Sequence, residues 1–369
     1  MMEKGHMSRR DFTVRLSVAC AVVVVLGHAA AARLGTQAGN SLPSIVVLAT
    51  GGTIAGAATT NVQAGYTSGQ VGVEQLIAAV PEAKKVANLR GEQISNIGSQ
   101  DMNDEVWLKL ANRVNALVAM PDVSGVVITH GTDTIEETAY FLNLVVKSKK
   151  PVVMTAAMRP ATALSADGPL NFYNAVAVAA DKDAAGRGVL VVINDWIHGA
   201  ASLTKTSTTA VQTFLSPQSG LIGTVAYGRT EFYRQPIGKH TAGSEFSLAG
   251  VTALPRVDII MAHENMDGAL IDAAAAAGAK GIVIAGVGNG NLTATAVKAL
   301  AAQAKKGIVC VRASRVVTGV VGRNVELEDD KLGFVASLDK NPQKSRVLLR
   351  LALLQPRSVT DVQRIFDEY

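Results

Sequence analysis

The strongest constraint on the fold is an alternation between two kinds of segment, which starts near Asn40 and continues to the end of the chain. Short, β-branched apolar runs predict strands buried on both faces, and longer stretches with apolar residues every three or four positions predict amphipathic helices. This alternation predicts an α/β fold with a doubly wound, mainly parallel sheet. The predicted strands are 44–49, 92–97, 123–129, 151–155, 188–193, 257–262, 280–285 and 307–312. The predicted helices are 103–118, 138–146, 267–277, 292–306, 342–354 and 358–368, and another begins at 167–169.

The alternation is interrupted at 216–256, where glycines and prolines separate short strand-like pieces. We interpret this stretch as a hairpin followed by a linker, whose length indicates a domain boundary. A chain of 369 residues is long enough for two domains, each with its own core. We therefore expect a larger N-terminal α/β domain at 41–233, a linker at 234–255 and a smaller C-terminal α/β domain at 256–369.

Residues 1–40 have the pattern of an export signal. Arg9 and Arg10 precede an apolar run at 18–26 and a small-residue stretch at 29–32, which is the order of a basic region, an apolar region and a cleavage site. The paired arginines followed by Phe12 are typical of a twin-arginine signal. An ordinary secretory signal or an uncleaved anchor is the alternative. We predict a periplasmic or secreted protein whose mature form has no membrane segment.

Charge, cysteines and missing motifs argue against several classes of function. A net charge of +5, scattered along the chain, does not indicate nucleic-acid binding. Cys20 lies in the export signal and Cys310 in an apolar run, so neither an internal disulfide nor a thiolate metal site is expected. The glycine-rich stretch 286–291 has Asn291 in place of the third glycine of a dinucleotide loop, which favours a structural turn. No cofactor or metal is predicted.

Two of the predicted strands end in similar polar loops. Thr53 closes the loop after 44–49, and Thr132 and Asp133 follow the strand at 123–129. Open α/β sheets bind ligands beyond the carboxyl ends of their strands. The stretch 134–137 predicts a capping box, which would place Thr132 and Asp133 at a helix N-terminus suited to a carboxylate or an oxyanion. The alternative is two ordinary turns whose threonines bond their own backbone.

A threonine hydroxyl is a poor nucleophile unless a base takes its proton. Lys205 is the candidate base, since a lysine beside Asp133 and partly removed from water can accept a proton. The glycine-containing stretch 57–69 predicts a lid, from which Tyr66 could reach the nucleophile. The alternatives are a surface lysine and a tyrosine packed on the domain surface. His130 has no obvious partner, so we predict that it packs within its loop.

Two stretches, Thr-Gly-Gly-Thr-Ile-Ala-Gly at 50–56 and His-Gly-Thr-Asp-Thr at 130–134, resemble the signature motifs of bacterial L-asparaginases. The similarity runs from about Leu42 to Tyr369 and includes the motifs at 98–104, 158–160, 165–169, 204–206, 286–291 and 341–344. With the export signal, it points to the type II, periplasmic branch of the asparaginase/glutaminase family. The resemblance implies hydrolysis of L-asparagine to L-aspartate and ammonia, without a cofactor, by a homotetramer built from intimate dimers.

The resemblance also implies roles for the matching residues. Thr53 would attack the side-chain amide carbon, with Tyr66 on the lid supporting it. Thr132, Asp133 and Lys205 would activate the nucleophile or the hydrolytic water. How the base role divides between Tyr66 and the Thr132–Lys205 pair stays open.

The remaining roles concern substrate binding. Ser99 and Asp133 would hold the charged α-groups of the substrate, with Gln100 beside them. Backbone N–H groups at Thr132 and Ala157 would suit the oxyanion. From the smaller domain of a neighbouring subunit, two further residues would complete the pocket, namely Asn265 and Glu326.

Three points remain open at this level. Gln100 resembles the asparagine-preferring members, whereas comparable use of glutamine is the alternative. Relatives commonly have an arginine–acid pair where Ala201 and Ser202 stand, so the loop before Lys205 has lost charge. A non-catalytic periplasmic amino-acid-binding protein would also fit two exported α/β domains, but it would not need a threonine–lysine relay.

Overall fold

The computed structural model of the protein describes residues 41–58, 60, 67 and 69–369. The predicted export signal and Tyr66 lie outside the described residues. The described part contains two α/β domains, each built on its own sheet. The predicted doubly wound, mainly parallel architecture is confirmed.

The larger sheet has eight strands, namely β1 (Ser44–Gly51), β2 (Asn88–Ile97), β3 (Gly125–Thr129), β4 (Val152–Thr155), β5 (Val189–Ile193), β6 (Trp196–Gly199), β9 (Gly223–Ala226) and β10 (Arg229–Phe232). Their order is β10-β9-β6-β5-β4-β3-β1-β2. The strands from β5 to β2 pair in parallel, and β6, β9 and β10 extend the sheet in antiparallel pairs. Two short strands, β7 (Thr204–Lys205) and β8 (Phe214–Leu215), form a separate antiparallel pair.

Helices cover both faces of this sheet: α1 (Val73–Ala78), α2 (Asp104–Ala119), α3 (Ile135–Val145) and α4 (Gly168–Ala180). Val46 and Leu48 of β1 pack in the cluster that contains α2 and α3, while Ile45 and Val47 pack in the cluster that contains α1 and α4. Because alternate side chains of a strand point to opposite faces, both sets are apolar. This explains why the run at 44–49 is hydrophobic without alternation.

The smaller sheet has the strands β11 (Val257–Met261), β12 (Gly281–Gly286), β13 (Val309–Ser314) and β14 (Phe334–Ala336), all parallel and in that order. Its helices are α5 (Ala269–Ala276), α6 (Ala294–Ala304), α7 (Asp329–Leu332), α8 (Pro342–Ala352) and α9 (Val359–Glu368). Residues of α5 and α6 share an apolar cluster on one face. On the other face, α8 packs against α3, so that one continuous core runs through both domains.

The structure adds short elements that the sequence did not predict. These are β6, β7, β8, β14 and α7, together with single 3₁₀ turns at Thr53–Ala55, Pro81–Lys85, Ser99–Asp101, Lys182–Ala184 and Thr241–Gly243. Segments of two to five residues are too short to show a periodicity. Between Phe232 and Val257 the chain has one 3₁₀ turn and no strand or α-helix, while the exact domain boundaries stay a prediction.

Three features of the described residues concern the cysteine, membrane-spanning helices and metal ligands. Cys310 is buried, and its burial raises the pKa of the thiol to about 12. Over the described ranges, no helix is long and apolar enough to cross a bilayer. The same ranges contain no cluster of three or more His, Cys, Asp or Glu side chains arranged to bind a metal ion.

Candidate active site

The candidate site lies where the strand order of the larger sheet reverses. β1 has β2 on one side and β3 on the other, so the carboxyl ends of all three strands meet there. Open α/β sheets bind ligands in the crevice at such a point. Thr53 follows β1, Ser99 follows β2 and Thr132 follows β3. The topology thus brings three of the predicted residues to one edge.

The loops after β1 and β3 touch through glycines. Gly52 has a φ of 81°, and a Cβ at this position would lie 2.4 Å from the backbone nitrogen of Gly131. A Cβ at Gly131 would in turn lie 2.5 Å from the hydroxyl of Ser99. Glycine alone accommodates a positive φ without cost and leaves room for another backbone. The two signature loops are therefore held in direct backbone contact.

Thr53 begins the 3₁₀ turn after β1, and only 4% of it is exposed. Its loop is tied to both neighbouring strands. The Thr50 hydroxyl donates to the carbonyl of Thr129 at 3.0 Å, and the Gly52 N–H donates to the carbonyl of Ile97 at 3.0 Å. These bonds fix the loop that carries Thr53 relative to the ends of β3 and β2.

Lys205 connects the larger domain's short strand β7 to the loop after β3. Its Nζ lies 3.0 Å from the hydroxyl of Thr132 and 2.7 Å from the carboxylate of Asp133. The Lys205 side chain is 18% exposed, whereas that of Asp133 is 57% exposed. A pair this exposed adds little to stability, so its importance is geometric. Asp133 keeps an open side on which a second cation can bind.

Ser99 anchors the loop after β3 from the side of β2. Its hydroxyl accepts a hydrogen bond from the Asp133 N–H at 3.1 Å, and its carbonyl accepts one from the Thr134 hydroxyl at 2.7 Å. The capping box predicted at 134–137 is wrong. Thr134 is the N-cap of α3, but its side chain makes no cap hydrogen bond, because its hydroxyl donates to Ser99 instead. The helix begins at Ile135, three residues before the predicted start.

Gln100 and Ala157 differ in their exposure. Gln100 is exposed, and its amide donates to the carboxylate of Asp101 at 3.3 Å. Ala157 is buried just beyond β4. A Cβ at Gly168 would lie 3.1 Å from Ile54 and 3.4 Å from the Ala157 side chain, so Ala157 borders the turn that carries Thr53.

His130 lies inside the protein, as predicted for a loop-packing residue. It is completely buried, and its Nδ1 is 2.8 Å from the carbonyl of Gly131, which fits an Nδ1–H donor. Burial lowers the pKa of His130 to about 4. The ring is therefore neutral at physiological pH and supports the backbone of the loop.

Glu326 and Asn265 lie on the smaller domain, in loops at the carboxyl edge of its sheet. Both are exposed, and Asn265 has a φ of 56°. Glu326 accepts a hydrogen bond at 2.8 Å from the side chain of Asn291. In the sequence, Asn291 was predicted to belong to a structural turn at 286–291, with no role in the pocket. Its amide side chain stands where a dinucleotide loop has its third glycine, and this difference could have indicated a role beside Glu326.

A buried ion pair holds the loops around Glu326. The Arg312 guanidinium contacts both carboxylate oxygens of Asp329 at 2.5 and 2.7 Å, and neither side chain is exposed. Arg312 also donates to the carbonyls of Asn289, Gly290 and Gly322. These bonds use all five of its N–H donors. One side chain thus fixes the turn before Asn291 and the loop before Glu326.

Comparison with protein families matches both domains. The chain matches the family model "Asparaginase, N-terminal" over residues 44–238 and the model "Glutaminase/Asparaginase C-terminal domain" over residues 256–366. These ranges include every predicted site residue. They leave out residues 1–43, where the export signal is predicted.

Individual relatives agree with the family models. The chain is 53% identical to the "Probable L-asparaginase periplasmic" of Haemophilus influenzae, over 91% of this chain and 96% of that protein. It is 52% identical to "L-asparaginase 2" of Escherichia coli, over 89% of this chain and 94% of that protein. The crystal structure of a probable cytoplasmic L-asparaginase from Campylobacter jejuni superposes with a TM-score of 0.86 at 46% identity, and covers 89% of this chain and 100% of the other.

Proposed function

The chain belongs to the asparaginase family and hydrolyses the side-chain amide of L-asparagine to L-aspartate and ammonia, and we propose that it does so through an acyl-enzyme on Thr53. The observation that carries this proposal is the position of Lys205. Its Nζ contacts both the Thr132 hydroxyl and the Asp133 carboxylate at the edge where Thr53 lies. Such an arrangement supplies the proton-transfer partner that a hydroxyl nucleophile requires.

The reaction proceeds in two acyl-transfer steps. The Thr53 oxygen attacks the side-chain amide carbon, and its proton passes through the Thr132 hydroxyl to the Lys205 amine, or to the phenolate of Tyr66. The tetrahedral intermediate collapses when the amide nitrogen takes up a proton and leaves as ammonia, which produces an aspartyl ester on Thr53. Water then attacks the ester, gives one proton to the same base and releases L-aspartate, while Thr53 regains its proton. Backbone N–H groups at Thr132 and Ala157 stabilise the negative oxygen in both steps.

The charged ends of the substrate require opposite charges. Asp133 is suited to the α-ammonium group because more than half of its side chain is exposed while Lys205 occupies only one of its oxygens. The Ser99 hydroxyl, beside the N-terminus of α3, is suited to the α-carboxylate. Gln100 lies next to it at the entrance.

We further propose that a second copy of the chain completes the pocket with Glu326 and an adjacent amide. Asn265 was the residue expected in this role, but Asn291 is better supported, because it already bonds Glu326. Apolar side chains are exposed on the same domain, as is typical of surfaces that bind another protein; they include Met261, Val317 and Val325. This supports the expected homotetramer of intimate dimers.

A periplasmic location is also part of the proposal. It is supported by the pattern of residues 1–40 and by the name of the Haemophilus influenzae relative. Mass determination of the protein recovered from a periplasmic fraction of the native host would test it. An intact N-terminus on protein found only in the cytoplasm would contradict it.

The nucleophile is tested by removing one hydroxyl at a time. Thr53→Val keeps the shape of the side chain and should lower kcat by at least three orders of magnitude, on the order of an essential nucleophile. Thr53→Ser should recover part of the activity. Thr155→Val is the matched control, since it removes a buried hydroxyl that bonds the Val192 carbonyl outside the loop of Thr53, and it should cost about 1 kcal/mol of stability but little activity.

The results distinguish the proposed hydrolase from the alternative functions. An amino-acid-binding protein would retain L-asparagine binding and lack turnover in every form, including the wild type. Comparable kcat/KM values for asparagine and glutamine would overturn the preference for asparagine. A Thr53→Val enzyme with near-normal turnover would show that another residue is acylated.

A further inference from the structure

Lys344 is a buried lysine for which the reaction above has no use. It lies in the first turn of α8, in the smaller domain, and only 3% of its side chain is exposed. Its Nζ donates a hydrogen bond across the domain interface to the carbonyl of Leu203. Leu203 is two residues before Lys205.

The charge of Lys344 is matched by Glu136. The Lys344 Nζ lies 3.8 Å from one Glu136 oxygen, and the other oxygen accepts a hydrogen bond from Gln343 at 2.5 Å. Burial lowers the pKa of Lys344, and the negative charge of Glu136 opposes this shift. Glu136 stands in the first turn of α3, three residues after Asp133.

Two bridges therefore join the same two segments. In the site itself, Lys205 contacts Thr132 and Asp133. Behind the site, Lys344 connects Glu136 to the carbonyl of Leu203. We propose that Lys344 is a positioning residue, supplied by the smaller domain, that fixes the distance between Lys205 and the loop of Thr132. This inference rests on the proposed role of Lys205.

The segment around Lys205 depends on such an anchor. β7 has only two residues, and the stretch 199–204 has no charged side chain. On the far side of Lys205, the N–H and the hydroxyl of Thr206 both donate to the carbonyl of Thr213, at 2.8 and 2.7 Å. On the near side, Lys344 bonds Leu203. A cavity of about 300 Å³ borders both Lys205 and Lys344, so space exists into which an unanchored segment can shift.

The two kinetic constants should respond differently. Asp133 is held by its own N–H bond to Ser99, independently of Lys344. Loss of Lys344 therefore moves Lys205 while the substrate-binding groups stay in place. Since a displacement of about 1 Å at a reacting group can cost about 10²-fold in rate, Lys344→Met should lower kcat by about 10- to 100-fold and change KM less than threefold.

Arg350 provides a matched control on the same helix. It is 6% exposed and joins α8 to the larger domain through an ion pair with Asp104 at 2.5 Å, but it bonds no residue near Lys205. Arg350→Met should weaken the domain contact and leave kcat within about threefold, while Lys344→Arg should restore most of the kcat lost in Lys344→Met. Steady-state kinetics and urea unfolding would be measured on each purified variant.

Equal losses of kcat in Lys344→Met and Arg350→Met, at equal loss of stability, would overturn the proposal. So would a Lys344→Met enzyme with kcat within threefold of wild type. If Lys344→Met does not fold, Glu136→Gln removes the matching charge with little change of shape, and unchanged kcat in that variant would equally refute it. If the Thr53 test failed, Thr53 would no longer be the proposed nucleophile. The comparison of Lys344→Met with Arg350→Met would still give a clear result, because it measures turnover relative to the wild-type enzyme.

Discussion

Substitution of Gly52 by alanine should separate the two signature loops. The new Cβ would lie 2.4 Å from the Gly131 nitrogen and 2.5 Å from its Cα, and both are backbone atoms that no side-chain rotation can move away. Ordinary contact needs about 3.4 Å, so the loops must move apart by about 1 Å, which is enough to lower a rate by about 10²-fold. With a φ of 81° and a ψ of −171°, Gly52 lies in a region that is essentially restricted to glycine, which adds about 1–3 kcal/mol of backbone strain for alanine.

The matched control is Gly186→Ala in the same domain. Gly186 has a φ of 76°, and a Cβ there would meet nothing within 4 Å. This variant pays for the backbone conformation alone, so it should lose about 1 kcal/mol of stability and keep its activity. Urea unfolding and kcat for L-asparagine, measured in parallel, separate strain from displacement.

We expect a kcat loss of about 100-fold or more for Gly52→Ala and less than threefold for Gly186→Ala. If Gly52→Ala retained kcat within threefold of wild type, close contact between the loops of Thr53 and Thr132 would not be needed for turnover. If both variants lost activity equally, backbone strain and not loop separation would be the cause.

Two further predictions concern stability. Burial lowers the pKa of His130 to about 4 and that of His198 to about 3. Below pH 6.5, the unfolded chain therefore takes up protons that the folded protein does not. The free energy of unfolding should keep its full value above pH 6.5 and fall by about 2 kcal/mol per histidine between pH 6.5 and 5. Urea titrations of wild type and His198→Gln should show a shallower pH slope in the variant, and equal slopes would contradict the assignment. Arg312→Met leaves the buried Asp329 carboxylate without a counter-charge and should cost about 3–5 kcal/mol, while the double replacement with Asp329→Leu should recover most of it; chemical unfolding of both variants decides this.

The sequence was sufficient for features encoded in local pattern. The apolar runs at 44–49 and 123–129 predicted strands, and the polar loops after them predicted a site at the carboxyl ends. Parallel pairing of β1 with β3 then brought the loops of Thr53 and Thr132 to the same edge of the sheet. These inferences hold because buried parallel strands leave a clear signal in composition.

Contacts between residues that are far apart in the sequence could not be predicted from local pattern. Lys205 was already the candidate base, but it lies 72 residues from Asp133 in sequence, so no local pattern could show that the two side chains are in contact. The capping-box pattern predicts that the Thr134 hydroxyl bonds within the first turn of its own helix. In the structure, this hydroxyl donates to the carbonyl of Ser99 instead. Lys344 looks like an ordinary first-turn lysine until the helix is docked on the other domain.

The packing of α8 against α3 means that the two halves of the chain do not form separable modules. The apolar surfaces of both helices belong to a single core, and Lys344, which bonds Leu203 beside β7, comes from the half that does not carry Thr53. A fragment ending before residue 256 would expose the side of α3 that α8 now covers. A chimera that exchanges the C-terminal half with that of a relative should therefore be active only if α3 and α8 come from the same protein, so that the contact between Glu136 and Lys344 is preserved.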